Sequence, residues 1–224
     1  MSYTLSVTLE SDATFARGDG AGSEVDTEVE YDAATGLPFV RGRVLKGLLT
    51  EECANILFAL RGHSAAAVLE RAAERLFGRP GSRIGEDGAL RVSAGRLPDD
   101  LSEAVRAEVE AKRLDPLDVL GSLTEIRRQT SVTEDGLPEK GSLRSARVVL
   151  RGVTFIAPLR VPEKDAEAMA LLAACVRAVR RGGLGRNRGR GRLRVRLHRD
   201  GGDATDEHFK TFTALVGGND KGGH

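Results

Sequence analysis

Apolar and polar positions alternate from Tyr3 to Glu10 (YTLSVTLE), the period-two pattern of a strand with one buried face. A loop rich in Gly, Asp and Glu follows as far as Gly36. From Arg43 the period becomes helical: Val44, Leu48, Leu49, Cys53, Ile56, Leu57 and Leu60 fall on one stripe. A second helix, AAAVLERAAERLFG, is expected to stop at Gly78, with Pro80 just beyond. ALRVSAGR, residues 89–96, predicts a strand, and residues 99–113 a highly charged amphipathic helix. Residues 123–144 are polar and broken by Gly136, Pro138 and Gly141, which predicts a protruding hairpin. SARVVLRGVTFIAPLRV, residues 145–161, is the longest strand candidate, with Gly152 as a candidate bulge. EKDAEAMALLAACVRAVRR predicts a helix with acids at its start and arginines at its end, as the helix dipole favours. The strand RLRVRLHR comes next, and beyond Gly201 only Phe209–Val216 is apolar.

Without its insertions the order is strand, helix, strand, strand, helix, strand. That predicts an α+β fold with a ferredoxin-like (RRM-type) βαββαβ core, helical insertions and a protruding β-hairpin. The expected organisation is one domain over residues 1–224, with a helical insertion at 99–122, a hairpin insertion at 123–144 and a C-terminal tail at 201–224. A chain of 224 residues that is 40% hydrophobic can bury one sizeable core.

Composition adds little until charge is placed along the chain. The net charge is +1, yet no acid interrupts the arginines between Arg177 and Arg199, while Glu24, Asp26, Glu28, Glu30 and Asp32 crowd one N-terminal segment. A basic pole hidden in a near-neutral total suits a nucleic-acid binder, although solubilising surface charge explains it too. Cys53 and Cys175 lie in apolar helical stretches and read as small core residues, not as a zinc site or a disulfide framework. The N-terminal residues lack the basic and long apolar regions of a signal peptide, and no segment approaches the roughly 18 apolar residues of a membrane span. A cytoplasmic protein without a membrane partner is expected.

The chemistry concentrates in GGLGRNRGRGRL, residues 182–193. Its glycines permit positive φ and close approach to another molecule, and its arginines add permanent charge and planar donor forks. Together they suit phosphates, though a disordered Gly/Arg loop has the same composition. The helix before and the strand after anchor both ends. Low aromatic content, 4%, argues against the base stacking of ordinary RRM readers.

Three segments together resemble the repeat-associated mysterious protein (RAMP) superfamily, and within it the repeated backbone subunit of type III CRISPR effector complexes. VDTEVEYDAATGLPFVRGRVLKGLL is similar to the family's Asp-containing loop and the turn that starts its Lys-Gly helix. GSLRSARVVLRGVTFIAPL resembles the strand that leaves the family's thumb hairpin, and GGLGRNRGRGRL its C-terminal glycine-rich loop. LFG at 76–78 also falls where the family often places it. The likeness spans residues 1 to about 198.

The resemblance implies a subunit that holds a CRISPR guide RNA and stacks with further copies of itself and other effector subunits. It also implies that complementary target RNA is cut at regular intervals in antiviral defence, with a divalent cation, Mg2+ or Mn2+. It assigns the catalytic role to Asp26, which would hold the divalent cation or help deprotonate the attacking 2′-OH. It assigns RNA contact to Lys46 and to the loop residues Gly183, Gly185, Arg186, Arg188, Gly189, Arg190 and Gly191. Arg41 and Arg43 replace the family's usual proline and small hydroxylic residue and would add phosphate contacts. Thr133 and Glu134 replace a frequent Asp-Arg pair in the thumb.

Each assignment has a plainer counterpart. Glu24, Asp26, Glu28 and Glu30 alternate, so an extended backbone puts all four on one face, and a solvated acidic face explains them equally well. Arg41, Arg43 and Lys46 also read as an ordinary basic helix start, and Arg127, Arg128 and Arg144 as solvated hairpin charges. Two other functions stand beside the nuclease: a non-catalytic RNA-binding scaffold, and a guide-processing enzyme of the kind that relies on His. None of His63, His198, His208 and His224 lies in a loop matched to a catalytic histidine.

Overall fold

Strand β1 (Tyr3–Leu9) buries Tyr3, Leu5, Val7 and Leu9 and leaves Thr4, Ser6 and Thr8 half exposed, the alternation that makes it the centre of a one-sided sheet. The structure is a computed structural model that describes residues 2–17, 25–79, 88–130 and 142–218. After β1 come α1 (Gly42–Ala59), α2 (Ala66–Phe77), β2 (Arg91–Val92), α3 (Asp99–Glu110), α4 (Pro116–Leu123), β3 (Thr124–Gln129) and β4 (Arg144–Val149). The chain ends with β5 (Thr154–Arg160), α5 (Ala166–Ala178), β6 (Leu193–Arg199), β7 (Gly202–Asp203) and α6 (Thr205–Gly217).

The main sheet runs β2-β5-β1-β6-β7, and β3 pairs with β4 in a separate two-stranded ladder. Both central neighbours of β1 are antiparallel to it, with Val7 opposite Phe155 on one side and Val195 on the other. The first four strands of that order reproduce the ferredoxin-like arrangement, so the expected α+β architecture is present. Helix α5 is buried from Ala168 to Val176, because it packs on β6 and against α1, α2 and α6. Its small alanines permit that crowding. Asp165 caps it, accepting from the Ala168 N–H at 3.0 Å.

Three predicted elements differ in the structure. The single strand expected over 145–161 is two strands in different sheets. Gly152, at φ +89°, turns the chain between them, and its N–H donates to the Leu9 carbonyl at 2.7 Å. Both flanks are apolar, so periodicity could not reveal the change of sheet. The strand expected at 89–96 keeps regular pairing only at Arg91 and Val92. Pro158, which has no N–H to donate, meets Ser93 in the next position and interrupts the ladder. The expected tail instead forms α6, which lays Phe212, Leu215 and Val216 against the core.

On α1 the most buried residues are Leu45, Leu49 and Cys53, while Val44, Leu48, Ile56, Leu57 and Leu60 pack at its margins. Residues 99–113 are helical from Asp99 to Glu110, and α4 follows under an Asp115 cap with Pro116 in its first turn. No described helix is long and apolar enough to cross a membrane.

Candidate nucleic-acid interface

The Gly/Arg loop is a closed turn held at its neck. The Gly182 N–H donates to the Gly191 carbonyl at 2.9 Å, and a bridge pairs Arg181 with Arg192. Gly183 and Gly191 are required by geometry. At φ +82° a Cβ on Gly183 would lie 2.6 Å from the Thr14 carbonyl oxygen, and at φ +67° one on Gly191 would lie 2.0 Å from that of Gly182. Gly185 and Gly189 also have positive φ but face more open space.

Arg186 is anchored: its two terminal nitrogens donate to the two Glu51 carboxylate oxygens at 2.8 and 2.9 Å. That fork fixes the loop to the exposed side of α1, the helix that carries Arg43 and Lys46. Beside it Glu51 is held below the usual carboxylate range, chiefly by the Arg186 hydrogen bond. Arg188 is exposed at the loop's tip, and Arg190 is half exposed. Among the described residues no acid pairs with Arg188, Arg190, Arg43 or Lys46, so these charges remain available. Arg41, by contrast, pairs with Glu30 at 2.5 Å, which commits it to the fold.

The acidic segment does not present one solvated face. Glu28 and Glu30 are only 7% and 5% exposed, and each faces an arginine. Arg147 of β4 donates to Glu28 at 2.9 Å and also reaches the Thr124 hydroxyl. Removing one partner of such a buried pair typically costs about 3–5 kcal/mol. Asp26 alone turns outward; Glu24 lies outside the described residues. One Asp26 oxygen, Oδ2, accepts the Ser145 N–H at 2.7 Å and the Ser145 hydroxyl at 2.9 Å. The Asp26 N–H returns a bond to the same hydroxyl oxygen at 3.1 Å. Oδ1 has no partner among the described residues. The Ser145 backbone donor, then its hydroxyl, and more weakly the nearby Arg144 charge, hold the Asp26 carboxyl below its usual range. It is therefore ionised at neutral pH.

Thr14 joins the two regions. Its carbonyl accepts the Leu184 N–H of the Gly/Arg loop at 2.9 Å, and its hydroxyl donates to the Arg147 carbonyl of β4 at 3.0 Å. Arg147 in turn donates its N–H to Thr27, beside Asp26. Loop, hairpin root and exposed carboxylate therefore lie along one short hydrogen-bonded path. Of the residues singled out in the sequence, Asp26, Arg186, Arg188, Arg190 and the loop glycines are linked in this way, with Arg43 and Lys46 on the α1 helix that Glu51 ties to the loop. The hairpin tip with Thr133 and Glu134 is outside the described residues. Thr14, Glu51, Ser145 and Arg147 carried no signal in the sequence.

Among the described residues no three His, Cys, Asp or Glu side chains are grouped to hold a metal ion. Asp26 offers one free carboxylate oxygen, which fits a hard cation only if a ligand supplies the remaining oxygens. The open sheet face carries Thr4, Ser6, Thr8, Thr154, Ile156, Pro158, Arg194, Arg196 and His198 and no described aromatic, so it offers no base-stacking platform.

A chain of a type III-B Cmr-beta complex, seen by cryo-EM bound to cognate target RNA, is similar with a TM-score of 0.63 and 12% identity. The match covers 93% of this chain and 98% of that one. A chain of the apo Cmr-beta complex matches with a TM-score of 0.62 and 14% identity over 89% of this chain and 98% of that one. No curated protein matches in sequence. The sequence model of the RAMP superfamily matches residues 13–194, a span that runs from beside Thr14 through the hairpin to the strand after the Gly/Arg loop, and the chain belongs to that superfamily.

Proposed function

We propose that this chain is a guide-RNA-binding backbone subunit of a type III CRISPR effector complex and that it cuts complementary target RNA at Asp26. The observation that carries the reading is the position of Asp26: an ionised, exposed carboxylate clamped to the root of the hairpin and joined through Thr14 to an arginine-bearing loop. The likeness in fold to a chain of a complex bound to target RNA supports it. The partners are the guide RNA, the target RNA, further copies of this chain and other effector subunits.

In this reading the loop amides and guanidiniums hold the guide by its phosphates, which fixes register without reading sequence. The hairpin bends the paired strand so that a target 2′-OH lies in line with its adjacent phosphorus. The 2′-hydroxyl gives its proton to solvent water as its oxygen bonds to phosphorus, the bond to the 5′-oxygen breaks, and that oxygen takes a proton from water, leaving a cyclic phosphate and a free 5′-hydroxyl. DNA lacks the attacking group. Most of the acceleration is positioning. A carboxyl held well ionised is a weak general base, since such bases work best with a pKa near the operating pH. Asp26 would act instead through its fixed negative charge, as the residue that would hold a divalent cation. When bound, that cation would supply charge stabilisation at the reacting phosphate.

The test is Asp26→Ala in the assembled complex with a complementary labelled RNA. Periodic cutting should fall at least 100-fold while guide content and target affinity stay as they were. Unchanged cutting removes Asp26 from the mechanism, and no cutting by the unaltered complex leaves an RNA-binding scaffold.

A further inference from the structure

Beyond the neck of the Gly/Arg loop, a notch of about 280 Å³ opens between the end of α5 and the outer edge of β6. Arg177, Arg180, Arg192, Arg194 and Arg196 line it, with Glu10 as its only acidic wall. The edge is open because β7 pairs only with His198 and Arg199. Leu193 and Leu197 direct their N–H groups outward, to the Arg180 carbonyl and the Thr205 hydroxyl. Val195 lies midway between them, and by strand alternation its N–H and carbonyl point the same way, into the notch. Neither has a partner among the described residues.

The charge there is not fully neutralised. Arg194 pairs with Glu10 at 3.2 Å, and Arg177 with Asp206 at 2.6 Å while lying over the Phe209 ring. Arg196 sits 3.7 Å from Asp203. Arg180 and Arg192 are exposed and meet no acid among the described residues. Two free guanidiniums beside an open backbone N–H form a donor set for a phosphate. Arg192 also belongs to the bridge that closes the Gly/Arg loop, so this donor set continues directly from the loop's neck.

We propose that the notch is a second phosphate site, which receives the backbone of single-stranded RNA as it leaves the Gly/Arg loop. The proposal rests on reading that loop as RNA-binding. The notch adds two phosphate contacts through Arg180 and Arg192.

The experiment measures binding of a fluorescent single-stranded RNA across a salt series for the full chain, for Arg180→Gln with Arg192→Gln, and for Arg186, Arg188 and Arg190 all changed to Gln. Thermal melts check that each variant folds, and the charge-preserving pair Arg180→Lys with Arg192→Lys serves as a second arm. The notch pair should bind several-fold more weakly at about 0.1 M salt. Its salt slope should be shallower by about 1.4, the value for two phosphates on a single strand. The Lys pair should keep most of the slope. Loss of affinity in the loop triple with an unchanged notch pair overturns the notch alone. An unchanged loop triple overturns the RNA reading on which it rests. If the notch pair keeps RNA affinity but loses binding to an acidic protein surface, the phosphate assignment is also overturned.

Discussion

Ser145 gives Asp26 a backbone donor that Ser145→Ala leaves in place and a hydroxyl donor that it removes. Ser145→Ala should therefore raise the Asp26 pKa toward, without reaching, the ordinary aspartate value near about 3.9. In the proposed mechanism the working form of Asp26 is the ionised one, so a higher pKa should move the acid limb of cleavage upward, and activity should be lost sooner as pH falls. Stability follows the same sign. A depressed carboxyl contributes stability that is present above its unfolded pKa and lost as pH falls through the folded one, so Ser145→Ala loses stability at neutrality and converges with the unaltered protein in acid. A cleavage profile against pH should show the shifted limb, with Ser145→Thr restoring it. Equal profiles for all three proteins would mean that Ser145 only braces the hairpin. The cation requirement provides a second readout, because loosening Asp26 should raise the Mn2+ concentration needed for half-maximal cutting.

The Gly/Arg loop depends on two different kinds of glycine. Gly191→Ala must place a Cβ on the Gly182 carbonyl and so break the pair that closes the neck, whereas Gly189→Ala meets open space and bears only the left-handed backbone cost of about 1–2 kcal/mol. Melting temperature and RNA affinity should both fall further for Gly191→Ala than for Gly189→Ala; equal losses would show that the neck is not a fixed element. The loop was legible in the sequence because its composition is local, and β1, α5 and β6 were legible because one face or the whole of each is apolar. The split at Gly152 was not, since strand periodicity runs unbroken through a turn that changes sheets. Helix α6 has its signal in Asp203, whose side chain accepts from the Thr205 N–H at 2.8 Å, but a short apolar run hid it. The contacts that define the site were not legible at all. Asp26 meets Ser145 across 119 residues, and Arg186 meets Glu51 across 135, so no local pattern connects them.

At the scale of the whole molecule, charge is balanced in number and segregated in space. Lys and Arg total 34 against 33 Asp and Glu, and many acids are spent on internal pairs such as Glu28 with Arg147 and Glu30 with Arg41. What remains for a polyanion is a local field of guanidiniums at the loop and along β6, not the net charge. The two sources respond differently to pH. The net charge of +1 counts histidines as neutral, so any protonated histidine raises the total below neutrality and the total falls as pH rises from about 6.5 to about 8.5. Guanidiniums do not titrate there. RNA affinity at constant ionic strength should therefore be nearly the same at both pH values. Raising salt from about 50 to about 200 mM at either pH should weaken binding by orders of magnitude, as counterion release requires when several phosphates are neutralised. Affinity that tracked pH instead would assign the binding to the four histidines or to overall charge, and the arginine pole would lose its role.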